Sequence, residues 1–303
     1  MVQLSPGNET HLHAFSVQWV DGAGVKASGY LHTSPEFAMK KLLAAGETRI
    51  AQFAPVFRAR EASRLHVPQF MMLEWYRSEE NYTVLMDDCA AMLRLAGDAG
   101  ERDHFTFRGR TCAVKAQPER ISVAEAFQRH AGIDLVACLD QRDCLDSEAR
   151  RIGIRSTPDD GWSDLFSRIL SEKIEPSLGV GRATILDRYP VSEAALARAC
   201  PDDPRFAERF EVYVCGVELA NAFGELTDPA EQRLRFEADM AEKARLYGER
   251  YPLDEDFLSA LAQMRPASGA ALGFDRLAML AAGAEAVGDV IFTPWPFEEG
   301  KEA

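Results

Sequence analysis

The spacing of hydrophobic and polar residues predicts strands and helices most clearly in the first third of the chain. HLHAFSVQWV and GYLHTS alternate as strands do, and helical spacing from Pro35 to Leu43 stops at Gly46. RIAQFAPVFRAR and QFMMLEWYR then predict two strands joined by the polar stretch from Glu61 to Val67. Residues 91–205 are less regular and offer helical candidates mainly at 122–130 and 164–174.

The last third returns to clear patterns. RFEVYVCGVELANAF predicts two strands joined by a turn at Gly216. Asp228 followed by Pro229 is typical of a helix start, and the pattern predicts a helix to Tyr247 that ends near Gly248. SGAALGFDR predicts a glycine-rich strand that leads into an apolar helix. We predict an α+β fold in one domain, residues 1–303, with 91–205 as an insertion or flanking region.

Composition excludes several classes of protein. With 47% hydrophobic and 27% charged residues among 303, the chain can bury a substantial core. No apolar run approaches the ~20 residues of a membrane helix, and no signal peptide is visible, so we expect a cytoplasmic protein. The net charge of -14 argues against nucleic-acid binding through a broad basic surface. The scattered cysteines lack a C-x-x-C pair, so we expect free thiols and no zinc site; they are Cys89, Cys112, Cys138, Cys144, Cys200 and Cys215.

The predicted hairpin PVFRAR–EASRLH–VPQFMMLEWYR carries the first candidate chemistry. The planar guanidinium of Arg58 suits a phosphate, and the ring of Phe70 suits stacking on a base. Glu74 and Tyr76 lie two residues apart on one strand face, where they can meet a cationic group. A hairpin with surface charges and a core phenylalanine explains the same pattern.

Two further features lie in the last third. Glu211 and Glu218 flank the turn at Gly216, so their carboxylates can converge across two strands and offer the oxygen ligands that Mg²⁺ prefers. Solvated edge residues are the alternative. In the stretch from Gly269 to Arg276, small residues at alternate positions clear one strand face for a flat ligand. Tight packing of a strand on a helix is the alternative there.

Taken together and in this order, the three features resemble motifs 2 and 3 of the class II aminoacyl-tRNA synthetases. The resemblance is closer to the lysyl branch, and closest to its paralogs that attach a lysine to elongation factor P. It covers nearly the whole chain and is weakest across 91–205. It implies the class II catalytic fold, an antiparallel sheet flanked by helices.

The resemblance also implies roles for individual residues. It assigns Arg58 and Arg276 to catalysis on the phosphates of ATP, and Glu211 and Glu218 to Mg²⁺. The remaining ATP-binding positions it implies are Arg60, Glu61, His66, Phe70, Glu218, Leu219 and Gly273. The positions it implies for the amino-acid substrate are Ser34, Glu36, Glu74, Tyr76, Asn221 and Glu225. A substrate with two ammonium groups does need several carboxylates.

The resemblance implies activation of (R)-β-lysine or lysine as an adenylate, then transfer to a lysine of elongation factor P. We expect no tRNA partner, because no anticodon-binding barrel precedes the motifs and because Ala271 stands where the tRNA enzymes have glycine. The family is homodimeric, but its motif 1 segment is missing here, so we expect poor dimerisation.

Some positions depart from the family pattern. Motif 2 reads Phe57-Arg58-Ala59-Arg60-Glu61 where the family has Phe-Arg-Asn-Glu, and Val67-Pro68-Gln69-Phe70 where it has Asn-Pro-Glu-Phe. Two alternatives stay open. One is a minimal tRNA-charging enzyme, and the other, which Arg60, Val67 and the missing motif 1 support, is a non-catalytic paralog that binds an amino acid or adenylate.

Overall fold

The computed structural model describes residues 1–293, in which strands and helices are mixed along the chain as an α+β fold requires. The strands are β1 (Val2–Gln3), β2 (Ser16–Val20), β3 (Lys26–Leu31), β4 (Arg49–Phe57), β5 (Gln69–Ser78), β6 (His104–Phe107), β7 (Arg110–Ala113), β8 (Glu119–Ser122), β9 (Gly181–Arg182), β10 (Thr184–Asp187), β11 (Arg209–Val214), β12 (Val217–Gly224) and β13 (Ala267–Gly273). The helices are α1 (Glu36–Ala44), α2 (Val84–Ala99), α3 (Val123–Ala131), α4 (Arg142–Arg151), α5 (Trp162–Ile169), α6 (Pro229–Tyr247), α7 (Glu255–Leu261) and α8 (Phe274–Ala282). The chain divides into two compact units, Met1–Asn81 with the chain from Glu225 onward, and Tyr82–Gly224.

In the first unit, strands β4, β5 and β13 form an antiparallel sheet with β5 in the centre. Strands β1, β3 and β2 form a second antiparallel sheet near the N-terminus. The predicted strands at 49–60 and 69–77 are confirmed, although β4 already ends at Phe57. Of the predicted strand HLHAFSVQWV only the second half, β2, is regular, and His13 makes a single bridge to Ala59.

The helices of the first unit begin and end at the predicted signals. The carboxylate of Asp228 accepts hydrogen bonds from the backbone N–H groups of Ala230 and Glu231, at 2.8 and 3.1 Å, and so caps α6. Gly248 ends this helix in the left-handed conformation with φ 67°, which glycine adopts without strain. Helix α1 likewise ends just before Gly46, so both predicted helices are confirmed.

The second unit contains the stretch that the sequence pattern left mostly unassigned. Its strands β12, β11, β10 and β8 form a sheet in which only the β10–β8 pair is parallel. Helices α3, α4 and α5 enclose a core with Phe127 and Phe166, whose rings stack at 5.1 Å. The predicted helix near 122–130 is confirmed as α3, and Ser122 and Glu125 form its capping box.

Two of the cysteines correct the expectation of free thiols. Cys138 and Cys144 form a disulfide, because the short helical turn at 136–138 and the start of α4 bring their Cα atoms to 5.3 Å. Their separation of six residues carries no recognisable motif, so the sequence pattern did not reveal the pair. The other four cysteines are buried free thiols: Cys89, Cys112, Cys200 and Cys215.

Among residues 1–293, no helix combines the length and the apolar character needed to cross a membrane.

Candidate active site

A buried carboxylate on β5 is the centre of an acidic pocket in the first unit. Glu74 is 1% exposed, and its two oxygens accept hydrogen bonds from the hydroxyls of Ser34, at 2.6 Å, and Tyr76, at 2.9 Å. Ser34 also accepts a hydrogen bond from the backbone N–H of Glu36 at 2.9 Å, which fixes the start of α1 beside the pocket. The alternation of β5 places Glu74 and Tyr76 on the same face, as predicted.

Two more carboxylates of the pocket share one lysine. The ammonium group of Lys40 lies 2.5 Å from an oxygen of Glu36 and 2.5 Å from an oxygen of Glu225. Glu36 and Lys40 are one helical turn apart on α1, and Glu225 immediately follows β12. Burial alone would lower the pKa of Lys40, but the charges of Glu225 and Glu36 raise it, so this lysine is a permanent cation.

Ionising Glu74, the remaining carboxylate of the pocket, is energetically costly. Burial, and next the charge of Glu36, raise the pKa of Glu74 to about 8 despite the two hydroxyl donors. Burial and the neighbouring carboxylates raise the pKa of Tyr76 well above its usual value, so its hydroxyl stays a donor. A cation entering the pocket would relieve the cost of ionising Glu74.

Strand β13 provides the small residues beside these carboxylates. Gly269 pairs with Tyr76, and a Cβ at this position would overlap both the Tyr76 ring and the carboxylate of Glu225. Ala271 pairs with Glu74, two residues farther along. The small residues therefore leave room for the pocket's own side chains, in addition to any ligand.

Positive charge and an aromatic ring meet elsewhere in the same unit. The guanidinium carbon of Arg58 lies 5.3 Å from the centre of the Phe70 ring, and the Arg58 Nε donates to the backbone carbonyl of Thr33 at 3.4 Å. Burial, followed by the charges of Arg276 and Arg58, lowers the pKa of His66 to about 4. His66 is therefore a neutral imidazole on which two arginine charges act, and such a concentration of positive charge beside an aromatic ring suits an anion next to a flat base.

The loop between β4 and β5 is held by the C-terminal elements of the same unit. Arg276 donates from Nε to the carbonyl of Leu65 at 3.1 Å, and Asp275 accepts from the backbone N–H of Met71 at 2.7 Å. Both residues come from the first turn of α8. The start of α8 therefore positions the loop and the first residues of β5 together.

Glu211 is the centre of a separate network in the second unit. One oxygen of its carboxylate accepts from the hydroxyls of Tyr189, at 2.5 Å, and Tyr213, at 2.6 Å, and the other accepts from Arg209 at 2.6 Å. Burial would lower the pKa of the Arg209 guanidinium, but the charges of Glu211 and Tyr189 and the hydrogen bond to Glu211 together raise it. Arg209 also donates to the side-chain oxygen of Asn221 at 3.3 Å.

A β-bulge brings Glu218 to the same face as Glu211. Glu211 pairs with Asn221 and Val212 with Ala220, but Tyr213 pairs with Glu218, so Leu219 is the extra residue. In a regular hairpin, Glu218 would point to the opposite face. The turn itself has positive φ at both Cys215 and Gly216, as a tight hairpin requires.

These arrangements can be compared with known protein families. A family model described as "tRNA synthetases class II (D, K and N)" matches residues 9–296 of the chain.

The chain belongs to the class II tRNA synthetases. Relatives named "Elongation factor P--(R)-beta-lysine ligase" cover nearly all of it. The protein of that name from Proteus mirabilis is 39% identical over 97% of this chain and 86% of its own length. The protein from Vibrio cholerae is 37% identical over 95% of this chain and 85% of its own length. The protein from Klebsiella pneumoniae is 38% identical over 93% of this chain and 83% of its own length. The predicted resemblance and class II fold are confirmed.

Within this class II fold, the first unit brings together most of the predicted positions. The pocket collects Ser34, Glu36, Glu74, Tyr76 and Glu225, and the cationic cluster collects Arg58, His66, Phe70 and Arg276. Glu61 is half-buried in the loop, and Gly273 ends β13. In the second unit the side chain of Leu219 is buried, so only its backbone can face a ligand.

Sequence reasoning missed two functional-site candidates. Lys40 has helical spacing from Glu36, and Arg209 is two residues before Glu211, so both signals were present.

The departure from the family pattern at Val67 also has a structural reason, because that side chain is 2% exposed and belongs to the core.

Arg60 turns away from the cationic cluster. Its backbone is left-handed with φ 65°, so the strand alternation stops before it. Its guanidinium pairs with Glu249 and lies 5.4 Å from the centre of the Tyr247 ring. The structure thus gives this predicted ATP-binding residue partners at the end of α6.

Arg60→Ala is expected to change the KM for ATP by less than about threefold and the stability by about 0–1 kcal/mol, since an exposed ion pair contributes little. ATP titrations of pyrophosphate exchange and a thermal melt measure both effects. Arg64→Ala, in the same loop and also exposed, is the matched control. A tenfold or larger rise in the KM for ATP with Arg60→Ala alone would restore the predicted nucleotide contact.

Gly269→Ala is expected to destabilise the protein by about 1–3 kcal/mol and to disturb amino-acid binding, because the methyl group overlaps Tyr76 and Glu225. Chemical denaturation measures the first effect and the KM for the amino acid measures the second. Ala271→Gly on the same strand is the control, with an expected cost of about 0.5–1 kcal/mol from backbone freedom. Equal stability of the Gly269→Ala variant and the parent protein would contradict the packing described for Tyr76.

Proposed function

We propose that the protein is an ATP-dependent ligase that activates (R)-β-lysine and transfers it to a lysine of elongation factor P. The observation that carries the proposal is the buried pocket in which Lys40 pairs with Glu36 and Glu225, while Glu74 accepts hydrogen bonds from two hydroxyls. Such an excess of buried negative charge is costly unless a substrate with ammonium groups compensates it. The relatives' names supply the identity of the amino acid and of the acceptor.

The proposal assigns the amino acid to the pocket and ATP to the cationic cluster. Arg58 and Arg276 bind phosphate oxygens, and Phe70 stacks on the adenine ring. Ser34 and Tyr76 hold Glu74 in place for the amine. In the second unit, Arg209 orients the side-chain oxygen of Asn221, the other position that the resemblance implies for the substrate.

The second unit would supply the ligands of Mg²⁺. A carboxylate can accept about four hydrogen bonds or metal contacts, and Glu211 uses three, which leaves one position on the oxygen that faces Arg209. Glu218, on the same strand face, adds a second carboxylate. Within residues 1–293 no group of three His, Cys, Asp or Glu residues could hold a metal, so the proposal leaves the rest of the shell to substrate phosphates and water. Bound Mg²⁺ would neutralise phosphate charge.

The chemistry has two steps, and no side chain acts as a nucleophile. The carboxylate of the amino acid attacks the α-phosphorus of ATP and displaces pyrophosphate, and Arg58 and Arg276 compensate the negative charge. The lysine amine of elongation factor P then attacks the activated carbonyl carbon, loses a proton and releases AMP as the amide forms. The chain's net charge of -14 supports a protein acceptor over tRNA.

ATP–pyrophosphate exchange tests the first step. We expect exchange that depends on lysine or (R)-β-lysine and on Mg²⁺, and that persists without tRNA. A protein that binds the amino acid without any exchange would instead be a sensor-like paralog. Exchange that requires tRNA would support the charging enzyme.

A further inference from the structure

A buried cation of the acidic pocket, Lys40, lies between two of its carboxylates. Lys40 is 1% exposed, and its ammonium contacts both Glu36 and Glu225 at 2.5 Å. A buried lysine is rare without such partners, because its charge is costly to desolvate. The helix does not need this residue for its own packing, since Phe37, Met39 and Leu43 already bury its apolar face.

The charges of the pocket can be counted. With every group ionised, three carboxylates and one ammonium leave two negative charges, which equals the number of ammonium groups on lysine or β-lysine. Arg58, whose charge also acts on Glu74, is assigned to the substrate carboxylate and the phosphates. Without Lys40 the count would be three, and Glu36 and Glu225 would repel each other in a site of low dielectric constant. One of them would then take up a proton and lose its value as an acceptor for an amine.

We propose that Lys40 is a built-in counter-ion that orients Glu36 and Glu225 and matches the charge of the pocket to a diamino acid. It is a positioning residue, because it acts through the two carboxylates rather than on the reacting atoms. The inference rests on the proposed function and deepens it, since it explains why a substrate with two amines is favoured over one with a single amine. A neutral or acidic amino acid carries a single ammonium group and would leave one of the two negative charges without a cation.

The test compares Lys40→Met with Lys41→Met, the same substitution one position along the same helix. Lys41 pairs with Asp254 at 2.7 Å, outside the pocket. For Lys40→Met we expect a rise of about 30-fold or more in the KM for lysine, a change below about threefold in the KM for ATP, and a kcat within about fivefold. Lys41→Met should leave all three within about twofold. Direct calorimetric binding of lysine is measured in parallel.

A double variant separates charge matching from simple packing. Lys40→Met with Glu225→Gln returns the pocket to two negative charges, so we expect it to bind lysine at least about fivefold better than Lys40→Met alone, and better than Glu225→Gln alone, which leaves one negative charge. If Lys40 served only to pack the helix, the losses in lysine binding caused by the two substitutions would add. If Lys40→Met does not fold, the comparison of Glu225→Gln with the double variant decides, and lysine binding by the double variant that is equal or weaker overturns the proposal.

The outcomes for the two proposals are distinguishable. A parent protein that binds lysine but catalyses no pyrophosphate exchange would overturn the ligase function. The binding comparison for Lys40 would still apply. Exchange in the parent with Lys40→Met indistinguishable from Lys41→Met would overturn only the role of Lys40. A parent protein that neither binds lysine nor catalyses exchange would overturn both.

Discussion

Glu74→Gln is expected to reduce amino-acid-dependent pyrophosphate exchange by a factor of about 100 or more while making the folded protein more stable. The amide keeps the shape of the side chain and can still accept from Ser34 or Tyr76, but it cannot carry the charge that the substrate amine needs. Loss of a buried charged hydrogen bond of this kind costs about 3 kcal/mol in binding. The gain in stability arises because a neutral group replaces one that is costly to ionise.

The stability gain has a defined pH dependence. The folded-state pKa of Glu74, about 8, lies above the ordinary value of 4.5. A carboxyl group with a raised folded-state pKa contributes stability that is fully present below its unfolded pKa and is lost as the pH rises through the folded pKa. The glutamine variant should therefore match the parent near pH 4.5, exceed it increasingly up to about pH 8, and stay level above. The expected difference at pH 8 is about 3–5 kcal/mol.

Chemical denaturation at several pH values measures this profile, with exchange assays in parallel. Glu79→Gln, an exposed acid just after β5 that pairs with Arg265, is the control and should change neither property. In the parent protein, lysine binding should strengthen as the pH rises toward 8, because less work is then needed to ionise Glu74. A Glu74→Gln variant that is less stable than the parent at pH 8 would contradict the electrostatic cost assigned to this group.

Arg58→Lys is expected to lower kcat/KM for ATP by a factor of about 100–1000, although the charge is conserved. The guanidinium lies over Phe70 and donates to the carbonyl of Thr33, so its plane is oriented before ATP arrives. An ammonium group lacks the planar fork that binds two phosphate oxygens and the face that packs on a ring. The expected loss corresponds to about 3–4 kcal/mol of transition-state stabilisation.

Exchange kinetics with saturating lysine and varied ATP measure this loss. Arg49→Lys is the matched control, because Arg49 lies on the same strand, β4, and pairs with Glu80 on the surface. It should retain activity within about twofold. A fully active Arg58→Lys variant would show that a point charge suffices, and the role of Arg58 would have to be reassigned.

The sequence pattern predicted the elements that have strong local signals. The Asp228 cap, the Gly248 end and the alternation of β5 each depend on a few neighbouring residues, and each is present as predicted. The strands between 104 and 122 are only four residues long, too short for a period of two to stand out. Helix α2 was missed although its apolar residues recur at helical spacing.

In the candidate site, too, local sequence patterns predict some features, and others become visible only in the fold. The placement of Glu74 beside Tyr76 follows from strand alternation alone. The bulge at Leu219, which brings Glu218 to the face of Glu211, depends on the register of two strands and has no local sequence signal. The pairings of Lys40 with Glu225 and of Arg60 with Glu249 join residues far apart in the chain, so only the fold reveals them.

The most direct test of the account is the intact mass of elongation factor P after incubation with this protein, ATP, Mg²⁺ and (R)-β-lysine. The account predicts a gain of one lysyl unit on a single lysine, which disappears when ATP is omitted and when the Glu74→Gln variant replaces the parent. An unchanged mass, with one of the named relatives active in parallel, would contradict the proposed ligase function.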